Sequence, residues 1–360
     1  MSAASAGPEA LARRGLSAAS LAWKLRRRRY QRTPVKAEIV ARRARFYLDA
    51  WDEAATATGG RLRQIEGQLL EVSCGGVVVR SRRNVTSLDD PLTLAVAEDK
   101  PLVYRLLGER GVPVPRHTVC AANDPRSAWR FARSLGRPCV VKPARGASGA
   151  IGITTAVATW TELVRAMTYA GGFDREVLVE ELAGGGVYRL LYFDGELLDA
   201  VRRDPPTVTG DGHATIGQLI AAENARRFEG GIASCQSLVR VDIEMRHTLR
   251  RAGLDLRSVP ADGETVRLKN VVNDNRREDN VTAGFCAEVV AVGAEAAAAV
   301  GARLAGVDVM TPDPASPLEA AGGVVIEVNG APGYYYHYYK RDGRVPVATA
   351  LLERLVGAGA

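Results

Sequence analysis

The chain has 360 residues, 46% of them hydrophobic and 25% charged, with a net charge of +7, which is longer than one hydrophobic core usually supports and predicts two or three domains. No apolar stretch is long enough to span a bilayer and no hydrophobic secretory segment precedes the first charges, so no membrane association is expected. The five cysteines (74, 120, 139, 235 and 286) are scattered, odd in number and form no CxxC pair, so neither a disulfide framework nor a zinc site is indicated and a reducing, cytoplasmic setting is expected.

Residues 1–33 hold small residues and then an arginine run, the composition of a weakly ordered arm. Residues 24–45 carry ten Lys or Arg against Glu38 alone, a local excess of nine, so the rest of the chain is slightly acidic. Tyr30 is the single aromatic residue in this segment, too few to stack successive bases, so nucleic acid is not the expected partner; a solvated arm, or one that docks an acidic peptide, fits better. From Val35 to about Ala57 the spacing of Val40, Ala44, Tyr47, Trp51 and Ala54 predicts a helix. QLLEVS, CGG and VVVRSR (68–82) read as a hairpin, and the stretch 87–110 as a lead into one helix stopped by Gly111. This N-terminal domain is placed at 1–96.

From about 112 strands and helices alternate: a strand at 117–120, a helix at 125–135, a strand at 138–142, a glycine loop, a helix at 160–170 burying Trp160, Leu163, Val164 and Met167, and a strand at 176–182. That is an α+β unit, placed at 97–187. The region 188–360 opens with two strands around Asp194-Gly195 and a helix at 215–227. A polar stretch follows with a helix near 242–252, then an apolar helix at 286–306, buried on more than one side, that feeds the Asp308 strand.

Three side chains near the C-terminal end carry the sharpest chemical signal. Glu327 and Asn329, two apart in the apolar run VVIEVN, leave one face of a strand, and Asp308 sits in a second run able to lie beside it. Hard oxygen donors in this combination suit Mg²⁺ bridging nucleotide phosphates. Lys142 ends the strand before RGASGAIG (145–152), whose Gly146, Gly149 and Gly152 let backbone amides reach a phosphate; a plain hairpin turn beside a solvated lysine is the alternative. Glu180 and Glu181 end the next strand, either as adenine or ribose acceptors or as edge carboxylates. Of Arg189, Arg202 and Arg203, Arg189 is the one favoured for function, the others reading as solvated surface.

The order of these segments resembles the ATP-grasp superfamily, and more closely the ATP-grasp portion of cyanophycin synthetase, over about Asp99–Val347. The resemblance rests on DKPLVYRLLGERGVPVP (99–115), VVKPARGASGAIGI (140–153), VRRDPPTVTGDGHATIGQLIAAEN (201–224), SVPADGETVRLKN (258–270) and GVDVMTPDPASPLEAAGGVVIEVNGAPG (306–333). It implies an ATP-grasp fold with nucleotide bound between two α+β subdomains, the lid at 97–187 and a metal and substrate subdomain at 188–360. It implies Lys100 and Lys142 as nucleotide lysines and Gly146, Ser148, Gly149 and Gly152 as the phosphate loop. Glu180, Glu181 and Leu182 would line the adenine pocket, Arg189 would contact the nucleotide, and Asp308, Glu327 and Asn329 would hold Mg²⁺. His337 would border the acceptor. The chain departs from the family at Val187, where an acid is usual, at NDNRRED (273–279) in place of a Ser-Thr-Gly-Gly loop, and at Tyr334–Tyr336. The Mur-ligase-like half is absent, so a two-step polymer extension is not expected.

The chemistry such a site supports is activation of a carboxylate by ATP and capture of the acyl phosphate by an amine, with Arg267, Lys269 or Arg276 stabilising the tetrahedral intermediate. Amino acids or a small peptide are the expected substrates. The alternatives are a ligase acting on a protein or carrier peptide docked by the basic arm, and a nucleotide-dependent binding protein with a decayed site. A homo-oligomer is compatible with all three.

Overall fold

The computed structural model describes residues 33–146, 149–234, 237–273, 276 and 280–358; the expectations for the N-terminal arm, for Ser148 and for most of NDNRRED lie outside them. In chain order, helix α1 (Pro34–Thr58) leads into strands β1 (Arg61–Gln64), β2 (Leu69–Cys74), β3 (Val77–Arg82) and β4 (Val85–Thr86). The hairpin is therefore the centre of a four-stranded meander. Its first strand, RLRQ, is largely exposed and carries no apolar alternation to reveal it. Where one helix is expected there are two, α2 (Pro91–Glu98) and α3 (Lys100–Glu109). The break is at Asp99, whose carboxylate accepts the Leu102 amide at 3.1 Å and caps α3, while Pro101 cannot continue a helix from before it.

Next come β5 (His117–Ala121), α4 (Pro125–Ser134), β6 (Cys139–Pro143), β7 (Thr154–Val157), α5 (Trp160–Ala170) and β8 (Glu176–Glu181); all but β7, a strand the sequence did not predict, lie close to the expected bounds. A capping box of Thr159 and Glu162 starts α5. Leu163 and Met167 are fully buried, but Trp160 is 41% exposed and lies edge-on to Trp129 rather than in the core. The remaining elements are β9 (Gly186–Phe193), β10 (Glu196–Arg203), β11 (Thr207–Thr209), α6 (Ile216–Glu229), α7 (Gly231–Ser234), α8 (Ile243–Arg251), β12 (Thr265–Arg267), β13 (Asn280–Thr282), α9 (Ala287–Val300), β14 (Leu304–Thr311), α10 (Leu318–Ala321), β15 (Val324–Asn329), α11 (Tyr335–Tyr338) and α12 (Val347–Ala358). The apolar helix stops at Val300 because Gly301, at φ +76°, turns the chain left-handed and closes the helix end. It also buries one side only, through Val289, Gly293, Ala296, Ala297 and Val300, its other side exposing Glu288, Ala291, Glu295 and Ala298.

The chain divides into two compact units. One comprises residues 33–37, 116–182 and 241–254 of the described chain. Its antiparallel sheet has the order β5-β8-β6-β7. Cys120, Cys139, Val141, Val177 and Val179 project from one face into a core with Ala128, Leu163 and Met167 of α4 and α5. The alternate residues Val140, Lys142, Leu178 and Glu180 leave the opposite face.

The other unit comprises 38–115, 183–240 and 255–358 of the described chain. Its five-stranded antiparallel sheet has the order β13-β10-β9-β14-β15. Phe46, Tyr47, Trp51 and Ala54 of α1 pack with Val72 and Val79 of the meander, Leu191 and Phe193 of β9, Tyr334, Tyr338 and α12. Tyr334 stacks edge-on with Tyr47 at 5.3 Å, so one member of the unusual tyrosine triple is core packing. No helix is long and apolar enough to cross a membrane, among the described residues.

Candidate active site

Two polar constellations stand out, one in each unit. In the larger unit, strand register decides which side chains meet. Val201, Arg189, Asp308 and Glu327 lie directly opposite one another across β10, β9, β14 and β15, and Asp199, Leu191, Gly306 and Asn329 form the next row. Residues opposed across a ladder share a face, so Asp199, Arg203, Arg189, Asp308, Glu327 and Asn329 all project to one side. A bulge after Asp308 leaves Ile326 as the extra residue, and the Tyr104 hydroxyl donates to its carbonyl at 2.9 Å.

Arg189 and Asp308 form a bidentate pair, Nε to Oδ1 and Nη2 to Oδ2, the latter at 2.8 Å, with both side chains under a tenth exposed. The carboxylate holds the guanidinium pKa above its ordinary value, although burial alone would lower it. Gly306 makes this possible: a Cβ there would lie 3.0 Å from the Arg189 Nη1 and 2.9 Å from the Pro332 Cβ. Lys100, the first residue of α3, brings Nζ to 3.9 Å from Glu327 Oε1. Asn329 donates from Nδ2 to the Gly306 carbonyl at 3.2 Å.

Among the described residues no three His, Cys, Asp or Glu side chains converge as a metal cage. The set here is smaller, two carboxylates and an amide. It fits Mg²⁺, which keeps waters and takes phosphate oxygens rather than filling its shell from protein. Each Asp308 oxygen accepts one guanidinium hydrogen and retains a second lone pair, and the Glu327 side chain is 32% exposed.

Beside this row lies a cluster that the sequence reading missed in part. Asp199 accepts from His337 Nδ1 at 2.8 Å and from Lys340 Nζ at 2.9 and 3.0 Å. Burial pulls the Asp199 carboxyl upward, but the bonds from His337 and Lys340 outweigh it and hold the carboxyl below its usual range. Burial holds His337 below the usual imidazole value against the pull of Asp199. Arg203, read from sequence as solvated surface, is 2% exposed with the Tyr336 ring 3.8 Å from its Cζ. Its neighbour Arg202 pairs with Asp204 at the surface as expected. The visible signal was alternation: Asp199, Val201 and Arg203 share one face of β10 with no exposed residue among them.

Of the three basic candidates for the tetrahedral intermediate, Arg267 is exposed on the two-stranded ribbon β11–β12, Lys269 is 1% exposed, and Arg276 Nη2 lies 3.5 Å from Thr207 Oγ1. Val187 stands opposite Arg203 and Met310.

In the smaller unit Lys142 Nζ meets Glu180 Oε1 at 2.9 Å, both side chains buried. Glu181 is held by Arg116 at 2.8 Å and Arg137 at 3.0 Å, and the Leu182 amide donates to the Pro138 carbonyl at 3.4 Å. Gly146 and Gly149 of the loop are exposed. At Gly152, φ is +84° and a Cβ would sit 2.6 Å from Pro143 Cγ and 2.7 Å from Phe173 Cδ2, so only glycine closes the loop onto β7. The start of β7 is anchored by Glu244 of α8, a residue without a sequence signal, which accepts from the Thr155 amide at 2.8 Å and hydroxyl at 2.7 Å.

Comparison with known proteins follows the same lines. The family model described as the D-ala D-ala ligase C-terminus matches residues 106–187. Cyanophycin synthetase of Trichormus variabilis is 31% identical over 293 residues, covering 80% of this chain and 32% of that protein. The glutathione biosynthesis bifunctional protein GshAB of Streptococcus mutans is 30% identical over 275 residues, 74% of this chain and 36% of that one. This chain thus spans about a third of the length of these relatives. A crystal structure of a bifunctional glutathione synthetase from Pasteurella multocida superposes with a TM-score of 0.54 at 22% identity, over 86% of this chain and 43% of that one, which shows a shared fold.

Proposed function

We propose that this chain, which has the ATP-grasp fold and resembles the ATP-grasp portion of cyanophycin synthetase, is an ATP-dependent carboxylate–amine ligase that makes one peptide or amide bond. The observation that carries the reading is the single sheet face bearing Asp308, Glu327 and Asn329 beside Arg189 and Lys100. The similarity to a cyanophycin synthetase and to a glutathione biosynthesis protein, both peptide-forming enzymes, supports it.

In this reading a substrate carboxylate attacks the γ-phosphorus of ATP, the bond to the β-phosphate oxygen breaks, and ADP leaves. The resulting acyl phosphate meets an amine, which displaces inorganic phosphate and loses a proton. Positioning and charge neutralisation supply most of the acceleration. Lys142, Lys100 and amides of the 145–152 loop would neutralise phosphate charge, and Glu180 with the Leu182 backbone would line the adenine. Asp308, Glu327 and Asn329 would hold Mg²⁺, which when bound neutralises and orients phosphate oxygens. Amino acids or a small peptide in a cytoplasmic setting are the substrate class.

The test is ADP and phosphate release from Mg-ATP with amino acids and dipeptides, offered singly and in pairs. Release that requires a pair supports a ligase. Tight ATP binding with no stimulation by any pair overturns the small-molecule reading and directs attention to a macromolecular acceptor.

A further inference from the structure

Arg203 is the last residue of β10 and 2% exposed. Its Nη2 donates to the Val272 carbonyl at 3.1 Å and to Asn273 Oδ1 at 3.3 Å, and the Tyr336 ring lies 3.8 Å from its Cζ. Its buried Nε has no hydrogen-bond partner. Arg189 on the neighbouring strand has Asp308, and Arg202 next in chain has Asp204. Arg203 makes no such pair among the described residues. Two carbonyls and a ring quadrupole compensate a buried guanidinium only in part. Burial lowers its pKa, the Asp308 and Glu327 carboxylates opposing without contact. A cation kept in this state gains its counter-charge when an anion arrives, and a planar fork matches two oxygens of a carboxylate or phosphoryl group.

We propose that Arg203 is an oxyanion-binding group, which holds the carboxylate of the acid substrate or the phosphoryl group it receives on the sheet face that carries Asp308 and Glu327. The identity of the anion rests on the ligase reading; the binding itself does not. A role as a clamp on residues 272 and 273 is the competing account, and the two predict opposite effects on stability. Removing an uncompensated buried cation leaves the ligand-free protein as stable or more stable, whereas removing a clamp weakens it.

The experiment uses the full chain and Arg203→Met, with urea unfolding in chloride buffer and calorimetric titration of inorganic phosphate, malonate and ADP. The expected result is an unfolding midpoint for Arg203→Met equal to or above wild type, with affinity for phosphate, malonate or both reduced about tenfold or more. Loss of malonate affinity alone assigns the substrate carboxylate, and loss of phosphate affinity alone the phosphoryl group. A lower midpoint with unchanged anion affinity, or a wild-type protein that binds neither anion, overturns the proposal. If stability and anion binding fall together, Arg203→Lys decides: weakened binding with the charge kept supports the proposal, and abolished binding overturns it. Failure of wild type to bind ADP counts against the ligase reading while the anion result stands.

Discussion

Replacing Arg189 by Met gives the most quantitative test of the site's electrostatics. The pair it makes with Asp308 is bidentate, with both side chains under a tenth exposed. At contact distance and an effective dielectric constant near 20, the attraction is about 4 kcal/mol. Removing one partner of a buried pair costs about 3–5 kcal/mol, because the other charge stays desolvated and unpaired. Arg189→Met is therefore expected to lose about 3–5 kcal/mol, and Asp308→Leu a similar amount. The double variant removes both charges and should lose less than the sum, by a coupling of about 2–3 kcal/mol. Urea unfolding of the four proteins in one buffer measures it. Mg²⁺ sharpens the result: with Arg189 gone, the Asp308 carboxylate is open to a divalent cation, so added Mg²⁺ should stabilise Arg189→Met more than wild type. Single variants within about 0.5 kcal/mol of wild type, or strict additivity, would refute the buried-pair account.

Three further expectations follow from other parts of the structure. Glu327→Gln should lower turnover by on the order of 10²-fold with a smaller loss of ATP affinity, read by steady-state ADP release; wild-type turnover would remove Glu327 from the metal set. Gly152→Ala places a Cβ against Pro143 and Phe173 at φ +84°, and should cost about 1–3 kcal/mol and slow ADP release, measured on the same preparation. His337 is held below its ordinary pKa by burial, with Asp199 opposing and Lys340 and Arg189 adding to the depression. The unfolded imidazole titrates near about 6.5, so stability present above that pH is lost as pH falls from it toward the lower folded value, with a slope of up to about 1.4 kcal/mol per pH unit. His337→Gln should flatten this limb in urea titrations from pH 7 to 5, leaving a residue from His247, also held down by burial; an unchanged slope would show that His337 does not titrate there.

Much of this architecture was legible from local pattern. Alternation and the Glu-x-Asn spacing announced that Glu327 and Asn329 share a face, and an apolar run placed Asp308 beside them, as the register bears out. Glycine spacing marked the loop after Lys142. What stayed hidden depends on contacts distant in sequence. Arg203 looked solvated because the ring that covers it, Tyr336, comes more than a hundred residues later. Asp199 carried no signal until His337 and Lys340 closed on it. Glu244 supports β7 from a helix about ninety residues away. Two errors were local: a single cap residue, Asp99, splits one helix in two, and Gly301 ends the apolar helix earlier than its composition implies. Trp160 was assigned to the core on periodicity alone, although it opens its helix, where one turn has no preceding residues to cover it.

The most direct test of the central claim follows an oxygen atom. Once a stimulating pair is known, the acid is supplied with ¹⁸O in its carboxylate, and the inorganic phosphate released from Mg-ATP is analysed by mass spectrometry alongside the condensed product. The account predicts one ¹⁸O in each phosphate, ADP as the nucleotide, and a product lighter than its parts by one water. Unlabelled phosphate, or AMP with pyrophosphate, would contradict it.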